Sequence, residues 1–260
     1  MRCLVVLSVL VACSPARTRD EPVAVPPRPP GERAPASTPP PSIDAAPSAP
    51  VDSALAIVDA RPALAIVDAP MAWSDARAAL TLDYRRAHSD AEAIDLTIVP
   101  RVIVLHYTAG DSAQGTRSYF DHTEIEASRT ELRRGGKVNV SSHFLVDRDG
   151  TIYRLQPETR FARHCIGLNH LAIGVENVGD DRRWPLTAAQ VAANAALVRE
   201  LAATHPITHL LGHHEVMGFR EHAYYVERDP AYRNSKPDPG AAFMTKVRAK
   251  VSDLGLAGPE

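Results

Sequence analysis

Arg101-Val102-Ile103-Val104-Leu105-His106 is a short β-branched run ending in a histidine, and Tyr107-Thr108-Ala109-Gly110 follows it. Consecutive apolar residues without alternation are the pattern of a strand buried on both faces. Working outward, Phe144-Leu145-Val146 and Ile152-Tyr153-Arg154-Leu155 flank Asp149-Gly150, a hairpin turn signal. Ala172-Ile173-Gly174-Val175-Glu176 reads as another strand, and Thr208 to Leu211 as a short one. Thr187 with Gln190 forms a capping box, after which Val191, Ala195, Val198 and Ala202 mark one helical face to about Thr204. Ser74 to His88 has helical composition, Asp111 with Gln114 is a second candidate capping box, and Ala241 to Val251 is a closing helix. This order predicts one α/β domain over residues 71–256, a central mixed β-sheet flanked by helices.

Ahead of it the composition changes. Fourteen of the 22 prolines lie between Pro15 and Pro70. Residues 1–12 carry one positive charge and then an apolar run that is too short to span a bilayer but fits an export signal. Leu10-Val11-Ala12-Cys13 resembles a bacterial lipobox, which implies cleavage before Cys13 and lipidation of its thiol; the alternative is a plain secretory signal. Ser14 after the cysteine, in place of Asp, favours the outer membrane of a two-membrane cell. The expected address is therefore the cell envelope, with secretion as the alternative. Residues 13–70, poor in large apolar side chains, read as a disordered tether. It includes a duplicated segment, Ala54 to Ala60 and Ala63 to Ala69, too short and too few for a solenoid.

Hydrophobic residues make up 45% and charged residues 23%, ordinary for a soluble domain, and a net charge of -2 gives no field for nucleic acid. The domain is expected to be a monomer. Cys165 is its one cysteine, so no disulfide framework can form within it, and a buried apolar role is expected. No Gly-rich phosphate loop or organic cofactor is indicated.

Three polar segments follow or end strands without structural need: the one at His106, Gly212-His213-His214-Glu215, and Lys236-Pro237-Asp238-Pro239-Gly240. A lone strand-end histidine is more often a hydrogen-bonded core or rim residue than a ligand. Two histidines and a carboxylate nevertheless form a three-ligand set for a catalytic zinc with one position left open. Their sequence separations are long, and a local motif such as H-E-x-x-H is absent.

Taken together, the stretches at 103–110, 141–155, 172–179, 211–216 and 236–243 resemble, in order, the type-2 N-acetylmuramoyl-L-alanine amidases, relatives of peptidoglycan recognition proteins. The resemblance covers most of residues 98–250. It implies His106, His213 and Asp238 as zinc ligands, Glu176 as the acid/base carboxylate and Lys236 as the basic residue beside the third ligand. His213 is preferred to His214 because it directly follows the glycine. Tyr107 and His143 fall inside the matched segments, His164 and Asn169 lie between them, and all four are candidate cleft residues. The stretch 216–235 is longer than in compact relatives, and its Tyr224, Tyr225 and Tyr232 read as loop packing.

The implied reaction is hydrolysis of the amide between muramic acid and L-alanine in peptidoglycan or its fragments. The alternative is a non-catalytic peptidoglycan-binding module on the same fold. Recognition members typically lose a zinc ligand, whereas all three implied positions are kept here. Another zinc peptidase would share the same chemistry.

Overall fold

The computed structural model describes residues 64–259. Six strands, β1 (Ile66–Asp68), β2 (Val102–Leu105), β3 (Phe144–Val146), β4 (Ile152–Arg154), β5 (Ala172–Asn177) and β6 (His209–Gly212), form one mixed sheet in the order β1-β4-β3-β5-β2-β6. Among these six strands only the β3–β4 hairpin pairs antiparallel. The helices are α1 (Asp75–His88), α2 (Ala113–Asp121), α3 (Thr130–Arg134), α4 (Ala188–Thr204) and α5 (Ala241–Lys250). The mixed sheet flanked by helices is the architecture expected from the strand and helix order.

Strand alternation divides the buried side chains between two faces. Ile103, Leu105, Ile173, Val175 and Leu210 lie in one cluster with Val191, Val198 and Leu201 of α4 and Phe243, Met244 and Val247 of α5. Val102, Val104, Ala172 and Leu211 point the other way, onto Cys165, Leu168, Val216 and Phe219. Each Val, Leu or Ile fully withdrawn from water contributes about 1.5–3 kcal/mol. The β-branched run is apolar throughout because both of its faces are covered.

Local signals explain the helix starts. Ser74 caps α1, its hydroxyl accepting from Arg77 N–H, and Thr187 with Gln190 forms the reciprocal capping box of α4. Asp111 is not the cap of α2. Ser112 adopts the extended cap conformation and accepts from Gly115 N–H, which leaves Gln114 inside the first turn. The short α3 had no periodic signal to announce it.

The folded region begins earlier than Met71. Ile66–Asp68, in the second copy of the duplicated segment, extends the open edge of β4 as β1, in register Ile66↔Ile152. Leu64 and Ile66 pack on the core while Val67 faces out, and Arg154 Nη1 reaches Asp68 at 3.2 Å. A template edge makes a strand of residues that read as linker by themselves. The apolar leader, Cys13, the proline-rich stretch and the first copy lie outside the described residues.

A polar seam joins α4 to the sheet. Asn177 Nδ2 donates to the carbonyl of His106 at 3.0 Å, and Asn194 Nδ2 of α4 donates to Asn177 Oδ1 at 2.6 Å. Gln190 donates to the carbonyls of Val146 and Val178. All three side chains are fully buried. Asn177→Ala strands the Asn194 amide and removes a bond from the His106 carbonyl. We expect a loss of about 2–4 kcal/mol, read as a lower urea midpoint at unchanged slope.

Candidate metal centre and catalytic cleft

Register builds the site. β2 lies between β5 and β6, with Leu105 level with both Val175 and Gly212. The next residue on each strand is His106, Glu176 and His213, so three polar groups emerge side by side at the carboxyl ends of parallel strands. Their alternation matches Val104, Gly174 and Leu211, which turns all three away from the α4–α5 face. Asp238 arrives from the loop before α5, whose first turn opens from Gly240 at φ +90.

His106, His213 and Asp238 converge. His106 Nδ1 lies 2.9 Å from His213 Nδ1, and Asp238 Oδ2 stands 3.3 and 3.2 Å from those two atoms. Three donors about 2.0–2.1 Å from a tetrahedral zinc stand roughly 3.3 Å apart, so the spacing fits one shared cation. All three side chains are buried. Burial and the neighbouring His213 push His106 down to about 4, so its imidazole is neutral near pH 7. Burial raises the Asp238 carboxyl, but its contacts with the His106 and His213 imidazoles outweigh it and hold the group far below the usual carboxylate range. Lone pairs and one negative charge thus meet in a pocket suited to a divalent cation.

His214 diverges from its neighbour. Its backbone N–H donates to the Asp238 carbonyl at 2.7 Å, and its Nδ1 lies 3.2 Å from the same oxygen. The side chain thus faces the backbone of the third ligand and lies outside the metal group. Glu215 accepts from Gly212 N–H and pairs with Arg248 of α5, bracing the β6 end.

A cleft of about 310 Å³ opens over the group, lined among others by Tyr107, Arg129, His164, Asn169, Glu176 and Lys236. Glu176 Oε2 is buried and has no hydrogen-bond partner among the described residues. Burial, then the Asp238 charge, raises its carboxyl to about 8 against the opposing charges of Lys236 and Arg129. Asn169 Oδ1 accepts from the N–H groups of His164 and Cys165 and shapes the turn below the cleft.

His143 does not reach the cleft. It is fully buried, its Nε2 on the Arg160 carbonyl and its Nδ1 accepting from Gly174 N–H. Tyr119, Thr116, Arg129 and Asn234 line the cleft without having been singled out in the sequence. They come from α2 and from loops whose approach depends on long-range packing. Tyr224 and Tyr225 pack on the lower core cluster, and Tyr232 is buried, accepting from Arg163 Nη2 at 2.8 Å. The three tyrosines fill volume, as expected of them.

An α/β domain with a buried His-His-Asp group at its strand ends is the class that fold and site define. Residues 96–241, more than half of the chain, match the N-acetylmuramoyl-L-alanine amidase family, and the chain belongs to that family. The endolysin of Enterobacteria phage K11 is 28% identical over 117 residues, 40% of this chain and 78% of that protein. The endolysin of Escherichia phage T7 is 36% identical over 86 residues, 31% of this chain and 57% of its own length. Among solved structures, the endolysine N-acetylmuramoyl-L-alanine amidase LysCS from Clostridium intestinale URNW aligns at a TM-score of 0.47 with 22% identity. That alignment covers 72% of this chain and 95% of that one.

Two measurements check the site. Alanine at His106, His213 or Asp238 should each lower the zinc bound per chain, measured by elemental analysis after dialysis. His214→Ala, which keeps its backbone bond to Asp238, should bind nearly the native amount. The second concerns the metal-free protein between pH 6.5 and 8. Glu176 holds its proton up to about 8 when folded, whereas an unfolded glutamate is already ionised there. The unfolded state binds fewer protons, so this group makes stability fall as pH rises through that window. Glu176→Gln should remove that contribution, so its stability advantage over the native chain should grow with pH in thermal melts.

Proposed function

We propose that this protein is a zinc-dependent hydrolase of the amide bond between N-acetylmuramic acid and L-alanine in peptidoglycan or its fragments. The observation that carries this reading is the placement of Glu176 beside the His106–His213–Asp238 group, with one buried carboxylate oxygen unpaired at the cleft. A buried polar atom without a partner is destabilising unless the site uses it. Membership of the amidase family supplies the bond type.

A zinc ion held by His106, His213 and Asp238 supplies Lewis acidity toward water and a carbonyl oxygen near neutral pH. The chain supplies the rest. Glu176 takes the proton from the attacking water at its carboxylate and delivers it to the departing L-alanine nitrogen. Its raised pKa suits a group that must both accept and return a proton. Lys236 offers its ammonium to the charge that develops on the lactyl carbonyl oxygen. Tyr107, on the chain directly after His106, forms part of the wall that orients the sugar–peptide junction.

The test is release of free stem peptide from purified sacculi, measured with zinc content. Glu176→Gln should retain zinc and lose roughly a hundred- to ten-thousand-fold in rate. Lys236→Ala should lose about a hundred- to a thousand-fold, also with zinc retained. Stem peptide lacking the muramic acid should not be cut, and its cleavage would point to a peptidase instead. Near-native turnover in Glu176→Gln would overturn the proton-transfer role.

A further inference from the structure

His164 falls beside a matched motif and lines the cleft, yet both of its ring nitrogens are engaged away from any substrate. Nε2 lies 3.1 Å from the backbone carbonyl of Ala172, and Nδ1 lies 3.0 Å from Nε2 of His106. A carbonyl oxygen only accepts, so His164 Nε2 carries a proton and donates to Ala172. Among the described residues no carboxylate touches His164 and the ring is partly buried, which leaves it neutral with Nδ1 as an acceptor. His106 must then carry its own proton on Nε2 and donate it to His164. The lone pair of His106 is left on Nδ1, the atom that faces His213 and Asp238.

We infer that His164 is a positioning residue that locks His106 in its Nε2–H tautomer and turns its Nδ1 lone pair toward the metal group. Each imidazole has one N–H and one lone pair, so a proton fixed at the Ala172 carbonyl dictates the state of the nitrogen at the far end of the chain. A metal-bound histidine often donates its other N–H to a carboxylate. Here the acceptor is a neutral imidazole, which adds no negative charge and leaves Asp238, among the described residues, the only anion contacting the donor nitrogens. The inference rests on the metal reading of His106, His213 and Asp238.

The seat for this ring is a glycine. A Cβ on Gly174 would stand 2.7 Å from Cγ and 2.8 Å from Nδ1 of His164, in the middle of β5. Any side chain there would push the imidazole off its line to His106. Gly174 N–H also donates to His143 Nδ1 at 2.9 Å, which holds the strand on the other side of the same residue. His143 thereby stiffens the floor beneath His164.

The experiment has two arms on the full chain. Zinc affinity is measured by chelator competition for the native protein, His106→Ala, His164→Leu, His164→Asn and Gly174→Ala, with thermal melts to establish folding. His164→Leu should bind zinc about 10- to 100-fold more weakly. His164→Asn, whose carbonyl oxygen falls near the lost Nδ1 acceptor, should recover most of that loss, and Gly174→Ala should lie nearer to leucine. In the second arm, nitrogen NMR of the native metal-free protein should show His106 protonated at Nε2 and bare at Nδ1. Folded His164→Leu with native zinc affinity, asparagine no better than leucine, or His106 protonated at Nδ1 would each overturn the inference. If His106→Ala also left zinc binding intact, the metal reading itself would fall, which is a separate result. The NMR arm needs no variant and decides the matter even where a substitution prevents folding.

Discussion

The parallel register of β5, β2 and β6 is the constraint on which the rest of the structure depends. With Leu105, Val175 and Gly212 level, the residues after them share one end of the sheet and one face. A slip of one residue would turn every side chain of a strand to the opposite face. It would send His106 toward α4 and bring Leu105 into the cleft. The hydrophobic division between the two faces therefore also positions the polar site. Ile103, Leu105, Ile173 and Val175 hold the register that His106 and Glu176 use.

Polar groups at that end are arranged so that few charges are buried unpaired. Asn177, Asn194 and Gln190 cover strand carbonyls below the site with neutral amides. His164 lines the site and His143 lies buried beneath it, both as neutral rings, and burial holds both below the ordinary histidine range. The exceptions are Glu176, with one orphaned oxygen, and Asp238, whose charge is met by two imidazoles. Of these two carboxylates that border the proposed reaction, Glu176 is the one left with an unmet oxygen. Local instability of this kind is typical of a site shaped by chemistry.

Much of this was legible in the residues. The β-branched run, the Asp149-Gly150 turn and the Thr187–Gln190 box each state their structure within a few positions, because strand burial, turn geometry and capping are local. His106 and the His213-His214 pair could be picked out because each ends or follows such a run, whereas Glu176 and the choice of His213 came from the resemblance to the amidases. What stayed hidden depends on contacts distant in sequence. Ile66–Asp68 became a strand only because β4 offered an edge, and Asp111 lost the cap to Ser112 by one residue. His143 and His164 occur in similar polar settings, yet one is sealed in the core and the other supports a donor histidine. Only their partners, Arg160 and Gly174 for one and Ala172 and His106 for the other, separate them.

The long segment between His213 and Asp238 also acquires a physical role. Bringing two donors together across such a loop carries an entropic cost that grows only slowly with length, so the added residues are tolerable if something orders them. Several contacts do. Tyr225 covers Gly167 and Tyr232 covers Gly135, at distances where a Cβ on either glycine would collide with the ring. His88 Nδ1 meets Glu227 at 2.8 Å while its Nε2 meets the Gly135 carbonyl at 2.6 Å. Arg163 bonds Tyr232 and the carbonyls of Leu132, Gly136 and Val138, joining this loop to the cleft wall. His214 completes the closure by binding the Asp238 backbone as its neighbour turns toward the Asp238 carboxylate. Two adjacent histidines thus hold one aspartate from two sides, which leaves the carboxylate little freedom to swing away from His106 and His213.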